Sequence, residues 1–158
     1  MLFRSGAPDL PKFSTTMIIP DLANMDVKIV DSKYIEIENV EVAPSKGNLL
    51  RNQNPEKVPF KYGDVYKKDE FFPHNIAALQ KPFIARDFRG EALWLYPIQY
   101  NPVQKTLRIY TSLELEVFST DGEAQNAFYR KQANNKISRE FHEIYKRQFI
   151  NYEAAKYD

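Results

Sequence analysis

Hydrophobic residues follow a strand-like spacing through most of the chain, with the clearest alternation near residue 115. Leu113, Leu115 and Val117 are apolar, and Glu114 and Glu116 between them are acidic. Alternation with a period of two places one face of a strand in the core and the other in water. The pattern therefore predicts antiparallel strands with one solvated face.

Other short apolar runs predict further strands. β-Branched residues are concentrated at Thr15–Pro20 and Asp26–Ser32, on either side of the turn-forming sequence "DLANM". Ala92–Pro97 is apolar on both faces, as is typical of a central strand in a sandwich. In "YIEIENVEV" the alternation slips by one residue near Glu38 and Asn39. We interpret this slip as a β-bulge.

The segment from Ala43 to Lys81 has much weaker periodicity and is rich in Pro, Asn and Lys. It contains one predicted short strand, Val58–Tyr62. Connections this long are unusual in a compact domain unless they are functional or disordered. We therefore expect the segment either to lie across the surface or to take part in function.

Helical spacing appears only near the carboxyl end, in "SREFHEIYKRQFINY". Ser138 is a plausible amino cap for a helix that runs to Tyr152. Large apolar side chains recur on one stripe of this helix, which is expected to dock by that stripe. The stripe consists of Phe141, Ile144, Tyr145, Phe149 and Tyr152.

These patterns predict an all-β fold: an antiparallel, jelly-roll-like β-sandwich with a C-terminal α-helix. The 158 residues suit one domain with a substantial core. We divide the chain into a leader outside the fold (residues 1–5), the sandwich (6–120), and a linker with the C-terminal helix (121–158).

Composition excludes several classes of function. The net charge is +1, from 22 basic and 21 acidic residues, so no overall field favours nucleic acid. The chain contains no cysteine, which removes disulfides, thiolate metal sites and a cysteine nucleophile. No apolar run approaches the roughly 20 residues that a membrane helix needs. We predict no cofactor, no nucleic-acid partner and no membrane span.

The sequence also lacks a convincing catalytic arrangement. Its two histidines, His74 and His142, have no spacing that pairs them as metal ligands. Glu114 and Glu116 face the same way, as glycosidase carboxylates can, but alternating acids are common on a solvated strand face. There is no glycine-rich phosphate loop or serine elbow. We therefore predict that the chain is not an enzyme.

The charged stretch "RDFRGE" lies between the apolar runs "PFIA" and "ALWLYP". Pro82–Ala85 and Ala92–Pro97 are predicted to be the arms of a hairpin. In one interpretation the stretch is an ordinary turn, shaped by Asp87 accepting a backbone hydrogen bond and relaxed by Gly90. In the other, Arg89 and Gly90 form the bond that an arginine-specific peptidase would attack.

Five long stretches resemble the amino-terminal prodomain of the gingipain family, especially that of its arginine-specific members. They are "GAPDLP", "SKYIEIENVEVAPSKG", "PFIARDFRG", "YNPVQKTLRIYTSLELEV" and "YKRQFINYEAAKY". The resemblance covers about Gly6 to Tyr157. It implies a noncatalytic β-sandwich that inhibits a cysteine peptidase and assists its folding.

The resemblance also implies a partner and a location. The partner is the catalytic domain of a gingipain-like cysteine peptidase. Such peptidases are secreted by Gram-negative Bacteroidota through the type IX system, so the expected location is periplasm to cell surface or extracellular. The alternative is a β-sandwich adhesion or carbohydrate-binding module, because this architecture hosts many binding functions.

Residue roles follow from the same resemblance. It implies an inhibitory loop at a hairpin tip, in which Arg89 enters the specificity pocket of the peptidase. Lys156 and Tyr157 match the family's processing junction, where arginine-specific members have arginine in place of Lys156. The inhibition is expected to be noncovalent, since no cysteine is available for a mixed disulfide. The predicted loop consists of Arg86, Asp87, Phe88, Arg89 and Gly90.

Overall fold

A computed structural model describes residues 5–130 and 136–155. The predicted antiparallel β architecture with a C-terminal helix is confirmed. The strands are β1 (Phe13–Ile18), β2 (Asn24–Ile37), β3 (Ala77–Leu79), β4 (Phe83–Ala85), β5 (Phe88–Leu95), β6 (Ile98–Asn101) and β7 (Thr106–Thr120). The helices are α1 (Arg139–Gln148) and α2 (Tyr152–Ala155), and short 3-10 helices span Pro55–Lys57 and Asp64–Lys67.

The chain forms two compact units, each assembled from separate segments. Among the described residues, the first unit takes 5–12, 31–76 and 96–113, and the second takes the rest. The long strands β2 and β7 contribute residues to both units. The boundary predicted at residue 120 stays a prediction, although the helices after it belong to the same unit as β1, β4 and β5.

In the second unit, β5 is the central strand of a sheet ordered β1-β5-β3, and β4 also pairs with β5. The strands β1 and β5 are antiparallel, with Met17 opposite Glu91 and Thr15 opposite Leu93. One face of this sheet packs against apolar side chains of β2 and β7 around Met17, Ile19 and Leu93. This packing makes a β-sandwich and explains why β5 is apolar on both faces.

The other face of the same sheet is covered by the helical segment. Phe88 of β5 is buried against three aromatic side chains of that segment, Tyr145, Phe149 and Tyr152. The ring centroids of Phe88 and Tyr145 lie 5.1 Å apart at an interplanar angle of 89°, an edge-to-face contact. The second unit therefore has three layers: helix, sheet and sheet.

In the first unit, β6 pairs with the first part of β7, and polar side chains tie long loops to β6. Gln99 donates to the Pro73 carbonyl at 2.8 Å. The Asn101 amide donates to Asp69 at the same distance. These bonds attach part of the weakly periodic segment, residues 43–81, to β6. This agrees with the expectation that the segment lies across the surface.

Two predictions in this unit are wrong. Val58–Tyr62 is not a strand, because Val58 closes a 3-10 turn by donating its N–H to the Pro55 carbonyl. The proposed bulge is the end of β2: the strand stops at Ile37, and Asn39 has a φ of 59°, outside the extended region.

The predicted helix is confirmed in part. It breaks after Gln148, where Phe149 pairs with Thr16 in a parallel bridge and Ile150 donates its N–H to the Thr16 carbonyl. The apolar stripe faces the sheet as predicted except at Ile144, which is 50% exposed. No helix in the described part of the chain is long and apolar enough to span a membrane.

A buried carboxyl group leads to a prediction about stability and pH. Glu91 shares the interior face of β5 with Leu93, and its Oε2 has no hydrogen-bond partner in the described residues. Burial raises the pKa of the Glu91 carboxyl, and the charge of Arg89 only partly opposes this. The folded state thus favours the protonated form, so its stability falls as pH rises above the ordinary glutamate pKa of about 4.3.

We predict that Glu91→Gln raises the melting temperature at pH 8 and leaves it little changed at pH 5. The physical reason is that the amide removes a buried charge without changing the side-chain shape. Thermal unfolding of both proteins across this pH range is the measurement. An equal effect of the substitution at both pH values would contradict the assignment.

Candidate functional site

The predicted inhibitory loop lies in a two-residue hairpin between β4 and β5. Ala85 pairs with Phe88 and Ile84 pairs with Arg89, so only Arg86 and Asp87 form the turn. The φ of Arg86 is 50°, a left-handed conformation expected in a tight hairpin. Of the six residues in the charged stretch, two therefore form the turn, and the other four, from Phe88 to Glu91, lie in β5.

Arg89 points into the protein, and its side chain is 0% exposed. Its Nη1 donates to the carbonyls of Pro20 and Ala23 at 2.6 and 2.7 Å. Its Nη2 donates to Gln125 at 2.7 Å, and its Nε donates to Asn126 at 3.1 Å. The guanidinium thus joins the β1–β2 turn to the segment that follows β7.

The prediction that Arg89 enters a peptidase pocket is wrong for this fold. Withdrawing the guanidinium would break four hydrogen bonds to backbone carbonyls and leave the site of a fully buried side chain without a donor. The cost of leaving buried polar groups unsatisfied is about 1–3 kcal/mol for each group. Arg89 is therefore a structural cation that binds two loops to β5.

The other loop residues also have mainly structural contacts. Asp87 accepts a hydrogen bond from the Tyr145 hydroxyl at 2.6 Å, instead of the predicted bond from the backbone two residues on. Burial and this bond raise the pKa of Tyr145 to about 12. Arg86 is exposed, and its guanidinium lies 4.0 Å from the centroid of the Phe141 ring. Phe88 belongs to the aromatic cluster beneath α1.

Gly90 is required by packing and does not relax the turn as predicted. It lies within β5, paired with both Phe83 and Ile18. A Cβ atom there would come within 2.7 Å of Phe149 and 2.8 Å of Phe83. The absence of a side chain lets the aromatic layer approach the strand.

The remaining candidates do not form a catalytic or metal site in the described residues. Glu114 and Glu116 are exposed, and Glu116 pairs with Lys28 at 2.8 Å. No group of three or more His, Asp or Glu side chains in residues 5–130 and 136–155 could hold a metal ion. The processing junction, Lys156 and Tyr157, lies outside the described residues.

An exposed turn in the first unit carries an arginine that, unlike Arg89, is accessible to solvent. It spans Leu50–Gln53, in the segment that sequence analysis marked as surface or functional. Leu50 is 68% exposed, and Arg51 beside it is exposed too. Within the described part of the chain, the Arg51 side chain makes no hydrogen bond or ion pair.

The other described arginines are less suited to enter a pocket. Arg108 and Arg130 form ion pairs with acidic side chains. Arg86 stacks on an aromatic ring. Arg139 and Arg147 lie in α1, where the backbone is helical and cannot form an exposed turn. This leaves the turn at Leu50–Gln53 as the candidate site.

In the sequence, the arginine followed by glycine, Arg89, is a more prominent signal than this turn. The signals available were "LLRNQN", an arginine between apolar and turn-forming residues, and its position in a long segment without periodicity. Neither signal states which arginine is exposed. The structure answers this question, since Arg89 is buried and Arg51 is exposed.

The chain matches the Propeptide_C25 family over residues 2–157. It is 44% identical to Gingipain R1 of Porphyromonas gingivalis over 156 residues, 99% of this chain and 15% of that protein. It is also 44% identical to Gingipain R2 of the same species, over 96% of this chain and 20% of the relative. The chain thus spans a fifth or less of the length of these relatives.

Solved structures show the same likeness. A chain from the complex of Porphyromonas gingivalis RgpB pro- and mature domains has a TM-score of 0.87 and 42% identity, over 98% of this chain and 77% of that one. A structure on the zymogenic latency of gingipain K has a TM-score of 0.61 and 22% identity, over 75% of this chain and 69% of that one. The second shows likeness of fold alone.

The buried guanidinium predicts a large effect on stability. We expect Arg89→Ala to lower the free energy of unfolding by about 3–5 kcal/mol, because four backbone carbonyls lose their donor and a fully buried side chain is removed. The control is Arg86→Ala, which removes an exposed arginine three residues away and should cost less than about 1 kcal/mol. Urea unfolding measures both. Equal midpoints for the two variants would refute the structural role of Arg89.

Proposed function

Because the chain belongs to the Propeptide_C25 family, we propose that it is a prodomain that noncovalently inhibits a gingipain-like cysteine peptidase and assists its folding. The observation that carries this proposal is its likeness, at 42% identity, to a chain solved in a complex of pro- and mature domains. The chain itself supplies no catalytic group in this proposal.

The proposed partner is the catalytic domain of that peptidase. The relatives come from Porphyromonas gingivalis, so we propose a secreted protein that acts between the periplasm and the cell surface. The lack of cysteine supports noncovalent inhibition, because no mixed disulfide with a catalytic thiol can form. Folding assistance follows from mass action, since a prodomain that binds only the native peptidase stabilises the native state.

Arg51 takes the role first assigned to Arg89 in this proposal. A guanidinium is permanently charged and presents a planar array of donors that a pocket carboxylate can hold with two hydrogen bonds. The Arg51 side chain gives up no hydrogen bond to residues 5–130 or 136–155 when it enters such a pocket. Leu50 beside it is exposed and can bury apolar surface in the same contact.

We predict that Arg51→Ala weakens inhibition of an arginine-specific gingipain by about 30-fold or more, as expected for an arginine at the centre of an interface. Arg86→Ala is the matched control, because it removes an exposed arginine outside the proposed contact. The inhibition constants of both variants and the parent chain are to be measured against the mature peptidase. Inhibition by Arg51→Ala as tight as that of the parent would exclude Arg51 as the anchor.

The proposed processing junction gives a separate prediction. Lys156 is a poor substrate residue for an arginine-specific peptidase, because lysine does not reproduce the planar guanidinium contact. We expect Lys156→Arg to increase cleavage before Tyr157 by an arginine-specific gingipain, with no gain for a lysine-specific one. Mass spectrometry of timed digests identifies the cut. If the arginine-specific enzyme cleaved the parent chain before Tyr157 as fast as it cleaves Lys156→Arg, this expectation would be contradicted.

A further inference from the structure

We propose that Gln53 is a positioning residue that locks the Leu50–Gln53 turn, so that the Arg51 side chain is presented while the Arg51–Asn52 peptide bond is protected from cleavage. The inhibitory meaning of this lock rests on the proposed function. The lock itself is a property of the turn and can be tested with any peptidase that cleaves after arginine.

Gln53 binds both backbone polar groups of Leu50. The Gln53 N–H donates to the Leu50 carbonyl at 2.9 Å, which closes a β-turn. The Leu50 N–H donates to the Gln53 side-chain Oε1 at 3.0 Å. The side chain therefore adds a second hydrogen bond across the turn, beside the one between the backbones.

Contacts at the base of the loop support the turn. Lys46 donates from Nζ to the Pro55 carbonyl at 2.6 Å, and its Nζ lies 4.3 Å from the centroid of the Phe60 ring. On the descending side, the Asn54 side chain accepts the Glu56 N–H at 2.9 Å and begins a 3-10 helix. The chain is thus bound to itself on both sides of the turn, with little freedom left to extend.

This geometry separates recognition from cleavage. Arg51 and Asn52 are the two central residues of the turn, so the bond between them lies at its tip. A peptidase must extend that bond through its cleft, which requires opening both bonds between Leu50 and Gln53. The Arg51 side chain makes no hydrogen bond or ion pair with any described residue that would restrain it in the same way. The turn can therefore fill a pocket for arginine without aligning its peptide bond for attack.

Limited proteolysis by trypsin tests the lock directly. Cleavage of a folded protein through local opening follows the population of the open form. One hydrogen bond of this kind is worth about 1 kcal/mol, so we expect Gln53→Ala to increase cleavage at Arg51–Asn52 about fivefold. Gln53→Glu keeps a side-chain oxygen to accept the Leu50 N–H and should retain the parent rate.

Each rate is to be divided by that of a synthetic peptide of residues 46–57 with the same substitution, which removes any effect of residue 53 on trypsin itself. Mass spectrometry assigns the cut to Arg51–Asn52. A normalised rate for Gln53→Ala equal to the parent rate would overturn the lock. Equal acceleration by Gln53→Glu would show that the acceptor oxygen is not responsible, which overturns it too.

A second arm uses the mature arginine-specific gingipain in place of trypsin. With the lock and the proposed function both correct, Gln53→Ala changes from a stable inhibitor into one that is cleaved at Arg51–Asn52 and loses inhibition with time. If the trypsin arm succeeds and no variant or parent inhibits the gingipain, the lock stands and the proposed function fails. If the parent chain inhibits the gingipain and Gln53→Ala resists cleavage by both enzymes, the lock is refuted and the proposed function stands.

Discussion

The second unit of this protein depends on one buried cation. Arg89 lies on the interior face of the central strand β5, where its guanidinium donates to four backbone carbonyls from two loops. Carbonyl groups in loops have no regular partners, and burying them without donors is costly. A single planar group with five N–H donors satisfies them together. The two loops are therefore held in place by the Arg89 guanidinium, which is fixed by the position of Arg89 in β5.

The core beside this cation also holds an acidic side chain. Glu91 follows Arg89 by two residues and shares its face of β5, although its Oε2 has no partner in the described residues. A carboxyl group in that position costs stability when it is charged. Its neighbour Arg89 reduces this cost without removing it. The interior face of β5 is thus apolar around Leu93 and polar at Arg89 and Glu91.

Two arginines divide the roles that a single one was expected to have. Arg89 contributes stability because it is enclosed, and Arg51 is available to a partner because it is exposed and makes no internal bond among the described residues. In the proposed function, the stiffness required of an inhibitory segment comes from Gln53 and from the contacts of Lys46, outside the β4–β5 hairpin. Stability and recognition are therefore carried by different units of the chain.

The sequence by itself determined most of the strands, the central position of β5 and the first part of the helix, because each depends on a local pattern of apolar residues. It also determined the family, through long ordered matches. Tertiary structure decided what the charged residues do. The alternation along β5 could not show that Arg89 faces inward, since its four partners are distant in sequence and an arginine on a strand is more often exposed. The break in the helix was likewise fixed by contacts between distant segments, Thr16 with Phe149 and Ile150, which no local pattern records.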